Sequence, residues 1–566
     1  MNPLRRLYKL LENDKKDLGV LLIYALLSGL LSLAFPLGVQ AITTFLMAGT
    51  ITSSWFVLIL VIVVGIITSG IFEVLQITIT ETLQQKIFTR ASLEFSFRVL
   101  RFKKEELINH HPPELINRFF DILSVQKGLS KVLLEFSGTL LQIIFALILL
   151  SIYHPLFIIF SIILIAFLYS IFRYIGPSGY RTKLVESKYK YKLVHWLEEL
   201  ARVMDTFKLA GKTPFPLNKT DDLTTFYLES RTKHFRILVI QYISVIVFKT
   251  LTVTGLLVAG SLLVIDQQLS LGQFIAAEIL IILIMNSSEK LIRSLDVVYD
   301  LLVSLEKVGT VTDIGLERLE GSEVEDNSYE KGIKVEISDL SFKPNDSREK
   351  ILKHINFTIN PGEKICISGG SGAGKSTLLN LIAGLFETYD GNIYYNDISI
   401  KSIKLESLRS FIGDSLSYED IFEGTLMENI SLGKENVTEK DVEEICKKIG
   451  LSNYLRDAPK GIHTELFTQG RKLSRSVIKK IILARSIVDH PKLLVLEDLL
   501  VNIPIEEMEN ITNIFFEKKS PWSLVIASNN SRTAAKCDRV IMLNDGEIIT
   551  EGTYDALKDK YSKIFY

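Results

Sequence analysis

A chain of 566 residues with a mean hydropathy of +0.27 is too apolar for an ordinary soluble protein and long enough for two or three domains, so a membrane region is implied. The formal net charge of −1 supplies no basic field, which excludes nucleic acid as the main partner. Cys366, Cys446 and Cys537 show no metal-type spacing and fit small buried residues in a reducing compartment.

Apolar residues concentrate in the first half. Six stretches, near 18–47, 56–80, 131–152, 155–174, 237–264 and 271–290, are long enough to span a hydrocarbon core, which takes about 20 helical residues. The first is too long for a signal-peptide core and has no small-residue cleavage site, so it is expected to stay in the protein. Arg5, Arg6, Lys9, Lys15 and Lys16 precede it, whereas the links Ala48 to Trp55, Ile152 to His154 and Ile265 to Ser270 carry no Lys or Arg. The positive-inside rule then places both ends of the chain in the cytoplasm; the expected location is the inner (cytoplasmic) membrane, in contact with lipid. Leu4, Leu7, Tyr8 and Leu11 among those cations fit either a helix lying in the membrane interface or simple amphipathic packing.

Two long charged connections, roughly 81–130 and 175–236, read as helical, and each is interrupted by a proline-containing break, NHHPPELIN and GKTPFPLN. Each break can turn the chain back, so helices extend into the cytosol, reverse and return, with a short element at each reversal free to dock on a cytoplasmic domain. His110 and His111 lie at one reversal; adjacent ligands suit a tetrahedral site poorly, and solvated loop residues are the better reading. Glu73, Lys249 and Glu278 fall inside spans, where ionisable groups are costly. Lys249 is expected to be neutralised by one of the two carboxylates, the other reading being that they snorkel near span ends.

The acidic stretch Gly315 to Gly332 lacks apolar periodicity and reads as a linker. The predicted division is therefore a transmembrane domain at 1–308, a linker at 309–332 and a nucleotide-binding domain at 333–566. The decisive sequence of the last is KICISGGSGAGKSTLLNLIAGLF, a strand, a loop and an apolar helix. Gly369, Gly370, Ser371, Gly372, Ala373, Gly374, Lys375, Ser376 and Thr377 match G-x-x-x-x-G-K-[ST] in its required setting. Glycines let backbone N–H groups converge on phosphate oxygens, the helix N-terminus favours negative charge, Lys375 reaches the terminal phosphates, and Ser376 is the natural magnesium ligand. ATP and Mg2+ are the cofactors this implies.

On these features the whole chain resembles an ABC exporter half-transporter. The resemblance implies an α-helical membrane domain of six transmembrane helices joined to an α/β P-loop nucleotide-binding domain. LAFPLGVQAI and LQQKIFTRASLEF make the membrane half most similar to bacterial type I secretion exporters. Also implied are a second half-transporter chain, identical or different, an exported protein, peptide or lipophilic substrate, and, in a secretion assembly, a periplasmic adaptor.

The resemblance also exposes departures. Pro344 stands where an adenine-stacking aromatic is expected, and Ser417 replaces the glutamine that senses magnesium and the membrane domain. In the signature segment Leu473 and Ser474 are kept, but Arg475, Ser476 and Val477 replace Gly, Gly and Gln. Side chains there obstruct close backbone approach to phosphate, and Arg475 either pairs with phosphate directly or is a solvated helix charge. The acidic pair is inverted, with Glu497 at the magnesium position and Asp498 at the water-activating one; Pro504 replaces a loop aspartate and Ser528 a phosphate-contacting histidine. The expectation is ATP binding with weak or absent hydrolysis, the catalytic task falling to Asp498 and Glu497. The alternatives are a nucleotide-binding membrane scaffold without sustained transport and an ordinary homodimeric ATP-hydrolysing exporter.

Overall fold

The computed structural model describes residues 3–47, 49, 53–107, 112–324, 331–344, 347–416, 421–517 and 520–566. The chain folds as two units, one of Met1–Leu100 with His110–Ile314, the other of Arg101–Asn109 with Gly315–Tyr566.

In the first unit the described residues form six helical passages long and apolar enough to cross a membrane: Pro3–Met47, Ser53–Val99, Pro112–Tyr153, Leu156–Arg202, Phe215–Ile265 and Leu271–Thr312. At 1.5 Å per residue the Phe215–Ile265 helix is about 75 Å long, more than twice a hydrocarbon core. Its polar first half therefore runs on outside the membrane. The first passage breaks at Ser32 and Leu33, between helices Lys15–Leu31 and Ala34–Met47, because Pro36 lacks the N–H that would bond the Ser32 carbonyl. The last begins on a reciprocal cap, with Gln273 N donating to Ser270 Oγ (3.1 Å) and Ser270 N donating to Gln273 Oε1 (2.9 Å), which satisfies two otherwise orphaned donors.

The N-terminal helix Pro3–Leu11 packs on one side. Leu7 packs against Val125, Leu301 and Leu305 and Arg6 Nη1 reaches Asp313 Oδ1 at 3.1 Å, while Leu4 and Tyr8 stay exposed.

Lys249 does not pair with Glu73 or Glu278. Its Nζ lies 3.3 Å from Glu289 Oε2 and 3.1 Å from Asn286 Oδ1. The reason is register: the fifth and sixth helices run antiparallel about a turn at Gln267 and Gln268, so positions equidistant from that turn meet, and the partner of Lys249 is near 286 rather than 278. Glu289 is shared with Arg293, one helical turn on (2.6 Å). Glu73 instead lines a polar cavity of the membrane unit together with Glu135, Gln142 and Lys290.

The second unit is built on two sheets. A six-stranded sheet has the order Glu547–Gly552, Arg539–Asn544, Lys364–Gly369, Ser523–Ala527, Leu493–Glu497, Ile412–Ser415, parallel except at its first edge pair. A smaller antiparallel sheet pairs Val335–Phe342 with Leu352–Ile359 and with Asp390–Tyr395. Strand KICISG is buried at every position, as a central parallel strand covered on both faces must be. The residues after Ile314, expected as an irregular linker, bind this unit: Arg409 grips Glu317 (2.7 Å) and Ser322 N donates to Ser402 O (2.8 Å).

Candidate functional site

The strand Lys364–Gly369 delivers the chain into the phosphate loop, and the helix Lys375–Ile382 leaves it. Two glycines are dictated by geometry. Gly374 has φ +100° and a Cβ there would sit 2.7 Å from Leu352 Cδ2, while a Cβ on Gly369 would lie 2.1 Å from Leu543 O. An L side chain at either place strains the backbone or collides. Lys375 Nζ donates to the Gly369 carbonyl (2.7 Å) and the Gly370 carbonyl (2.9 Å), folding the side chain back over its own loop. Burial lowers the Lys375 pKa below the ordinary lysine value, against the opposing charges of Asp498 and Glu497.

The strand Leu493–Glu497 runs parallel between Ile412–Ser415 and Ser523–Ala527, so its end opens beside the loop. Ser376 Oγ donates to Glu497 Oε1. Asp498 has φ +45° and its N–H donates to Ala527 O (3.0 Å). A non-glycine residue held in the left-handed region costs of order 1 kcal/mol, and such strain gathers at functional positions. The two acids therefore differ in more than length: Glu497 is still strand and paired with Ser376, and Asp498 is on the turn.

The loop residues Ser371 to Thr377 share one cavity of ≈ 520 Å³ with Glu497, Asp498, Ile351, Asn529 and Tyr566. Gly369 and Gly370 contribute the carbonyls under Lys375 rather than cavity wall. The donor set toward the acidic pair, a hydroxyl beside carboxylate oxygens, is the hard-oxygen chemistry that Mg2+ takes, and the glycine loop fits a polyphosphate.

The departures in sequence separate in space. Ser528 is 3% exposed and its Oγ accepts from Asn530 N (3.1 Å), so it turns inward and does not line the cavity. Pro344 and Pro504 are absent from the wall as well. Ser474 caps the helix Arg475–Ile487 by accepting from Val477 N, leaving Arg475 exposed in its first turn. Ser417, His110 and His111 lie outside the described residues.

Besides Ile351 in the wall, three residues at the site were not anticipated. Asn529 clamps the loop, its side-chain oxygen accepting from Gly369 N (3.0 Å) and its amide donating to Gly369 O (2.9 Å). Lys479, 5% exposed, reaches Ser415 Oγ (3.1 Å) and the Glu497 carbonyl (3.3 Å) from behind the acidic pair; burial pushes its pKa down to about 8. Its helical spacing with Ile482, Leu483 and Ser486 marked it as inward-facing. No local signal marked Tyr566.

Residues 101–107, from the first predicted reversal, bond within the second unit close to this site. Lys104 Nζ donates to Asn380 Oδ1 (2.8 Å), and the Asn380 amide donates to the Ser376 carbonyl (2.7 Å). Glu105 Oε1 accepts from Glu387 N and Thr388 N, the latter at 2.8 Å.

Residues 18–288 match the family model for the ABC transporter transmembrane region and residues 352–500 that for ABC transporter. Among relatives, the Bacillus subtilis uncharacterized ABC transporter ATP-binding protein YfiC is 31% identical over 44% of this chain and 42% of its own length. Bacillus subtilis YheH, described as a probable multidrug resistance ABC transporter ATP-binding/permease protein, is 29% identical over 41% of this chain and 35% of its own. The chain thus spans less than half the length of these relatives in the matched region. A solved bacterial Atm1-family ABC exporter with ATP bound superposes at a TM-score of 0.85 over 97% of both chains at 17% identity, a likeness of fold.

Proposed function

From the architecture of an ABC exporter half-transporter, a transmembrane domain and an ATP-binding domain in one chain, we propose that the protein works as one half of a dimeric exporter of the inner membrane that binds ATP with Mg2+ and hydrolyses it slowly. The observation that carries this reading is the shared cavity of the phosphate loop, Glu497 and Asp498.

The loop N–H groups and Lys375 hold the phosphates. Ser376 and Glu497 would hold the metal, which when bound would neutralise phosphate charge. Asp498 orients and deprotonates the attacking water. It is one methylene shorter than glutamate, and a displacement of about 1 Å at a reacting group costs on the order of 100-fold in rate. The inward turn of Ser528 removes a second contact to the terminal phosphate. Binding thereby outlasts catalysis, and nucleotide-driven association of two chains supplies most of the work. The relative described as a multidrug resistance protein supports a small lipophilic cargo over the secreted protein or peptide that the membrane-half resemblance suggests. A periplasmic adaptor belongs only with the secretion role.

The test is magnesium-dependent ATP turnover and nucleotide binding on the same membrane-reconstituted samples, with Lys375→Ala and Asp498→Ala alongside. The expected result is binding abolished by Lys375→Ala with turnover far below binding saturation. Fast turnover lost in both variants would instead make the chain an ordinary hydrolytic motor.

A further inference from the structure

We propose that Tyr566 is a nucleotide-binding residue whose hydroxyl donates to the terminal phosphate of ATP, filling the role that Ser528 cannot reach; this rests on the cavity being the ATP site. The two residues converge from distant parts of the chain. After strand Ser523–Ala527, Ser528 is drawn under the sheet: its carbonyl accepts from Ser368 Oγ (2.7 Å) and its own hydroxyl is used by Asn530 N. The surface it vacates is bordered by Asn529 and Tyr566, both in the cavity wall with Lys375 and Asp498.

Tyr566 is anchored there through its backbone. Its N–H donates to Asn529 O (3.1 Å), and its carbonyl accepts from Ser531 N (2.9 Å). The preceding residues are fixed by packing, with Phe565 edge-on to Tyr554 at 5.2 Å and Tyr561, Ile564 and Phe565 against the core of the second unit. The residue is 71% exposed and lines the cavity, and its phenol lies near enough to Asp498 to feel that charge. A fixed backbone with a solvent-facing phenol is the arrangement expected of a ligand contact, because the ordering cost has already been met by the fold.

The chemistry suits a donor rather than a base. Burial, and next the negative charge of Asp498, raise the phenol above its ordinary range, so it keeps its proton at neutral pH. A neutral hydroxyl adds no charge beside Glu497 and Asp498, and an O–H donor to an anionic oxygen is a charge-assisted bond. The triphosphate has a terminal phosphate group that the diphosphate lacks. Tyr566 should therefore discriminate between them.

The experiment is fluorescent-nucleotide titration of the full, reconstituted chain with ATP and ADP analogues, in wild type, Tyr566→Phe and Lys375→Ala. Phenylalanine keeps the ring and its packing and removes the oxygen alone. The ratio of ATP to ADP affinity is expected to fall about tenfold in Tyr566→Phe, the size of one hydrogen bond to a charged group. An unchanged ratio overturns the proposal, as does tighter ATP binding, which would mark the phenol as an obstruction. Retained binding in Lys375→Ala would sink the assignment of the cavity itself, a separate failure. Thermal midpoints of the variants show whether folding is intact; Tyr566→Leu, which lacks the hydroxyl and any other donor, should reproduce the phenylalanine result.

Discussion

Replacing Lys479 by glutamine removes a buried cation from behind the acidic pair while keeping a donor for Ser415 Oγ and the Glu497 carbonyl. Burial depresses the lysine pKa to about 8, with Asp498 and Glu497 pulling the other way. A lysine whose proton is held less firmly in the folded chain destabilises the fold at every pH below the folded value; the penalty fades as pH rises from there toward the unfolded value. At about 1.4 kcal/mol per pKa unit the penalty is roughly 3 kcal/mol near neutral pH. About 2 kcal/mol of it is released between about pH 7 and about pH 9.5. Lys479→Gln should therefore raise the thermal midpoint of the second unit by roughly 5 °C or more near neutral pH, with the gap to wild type closing in alkali. Buried Trp522 reports this unit, so thermal fluorescence of the detergent-purified chain at the two pH values measures the gap. A gap that does not change with pH would refute the reasoning, and a variant less stable near neutrality would show that the cation is worth more to its neighbours than it costs to bury.

Gly374→Ala forces an L side chain to φ +100° beside Leu352; ATP affinity should drop at least about tenfold by titration, since the strain falls on the loop proposed to hold phosphate. Glu105→Ala removes the acceptor for Glu387 N and Thr388 N. Those two amides should exchange hydrogen about tenfold faster or more, as stranded donors do, with nucleotide affinity retained. Asn380→Leu, which cuts the link from Lys104 to the Ser376 carbonyl, should leave ATP affinity within about twofold but weaken any stimulation of turnover by transported substrate, a difference read from basal and stimulated rates. In the membrane unit, Lys249→Met combined with Glu289→Gln should be no less stable than Lys249→Met alone, with a coupling of about 1 kcal/mol or less in thermal midpoints. A much larger coupling would mean that Arg293 does not share the carboxylate.

The parts legible in the sequence are those whose physics is local. Whether a stretch can cross a membrane depends on summed side-chain transfer energies along that stretch, so the six passages could be read without any fold. The phosphate loop was equally plain, because one strand, one turn and one helix carry all of its groups in unbroken order. Even the exchange of Glu497 and Asp498 was visible as an anomaly of adjacent residues. What holds each acid was not: Ser376, on the helix Lys375–Ile382, pairs with Glu497, and Asp498, in the left-handed region past the end of its strand, is held by the carbonyl of Ala527 at the end of the neighbouring strand. Lys249 failed for the same reason, its partner being chosen by antiparallel register about Gln267 rather than by which carboxylates lie in spans. Tyr566 and the inward turn of Ser528 lie further still from any sequence signal. Sequence alone picked out the loop proposed to bind phosphate, since that needs only a loop's own backbone. The tertiary structure decided which distant side chains meet there, because a cavity wall is assembled by sheet order and packing rather than by spacing along the chain.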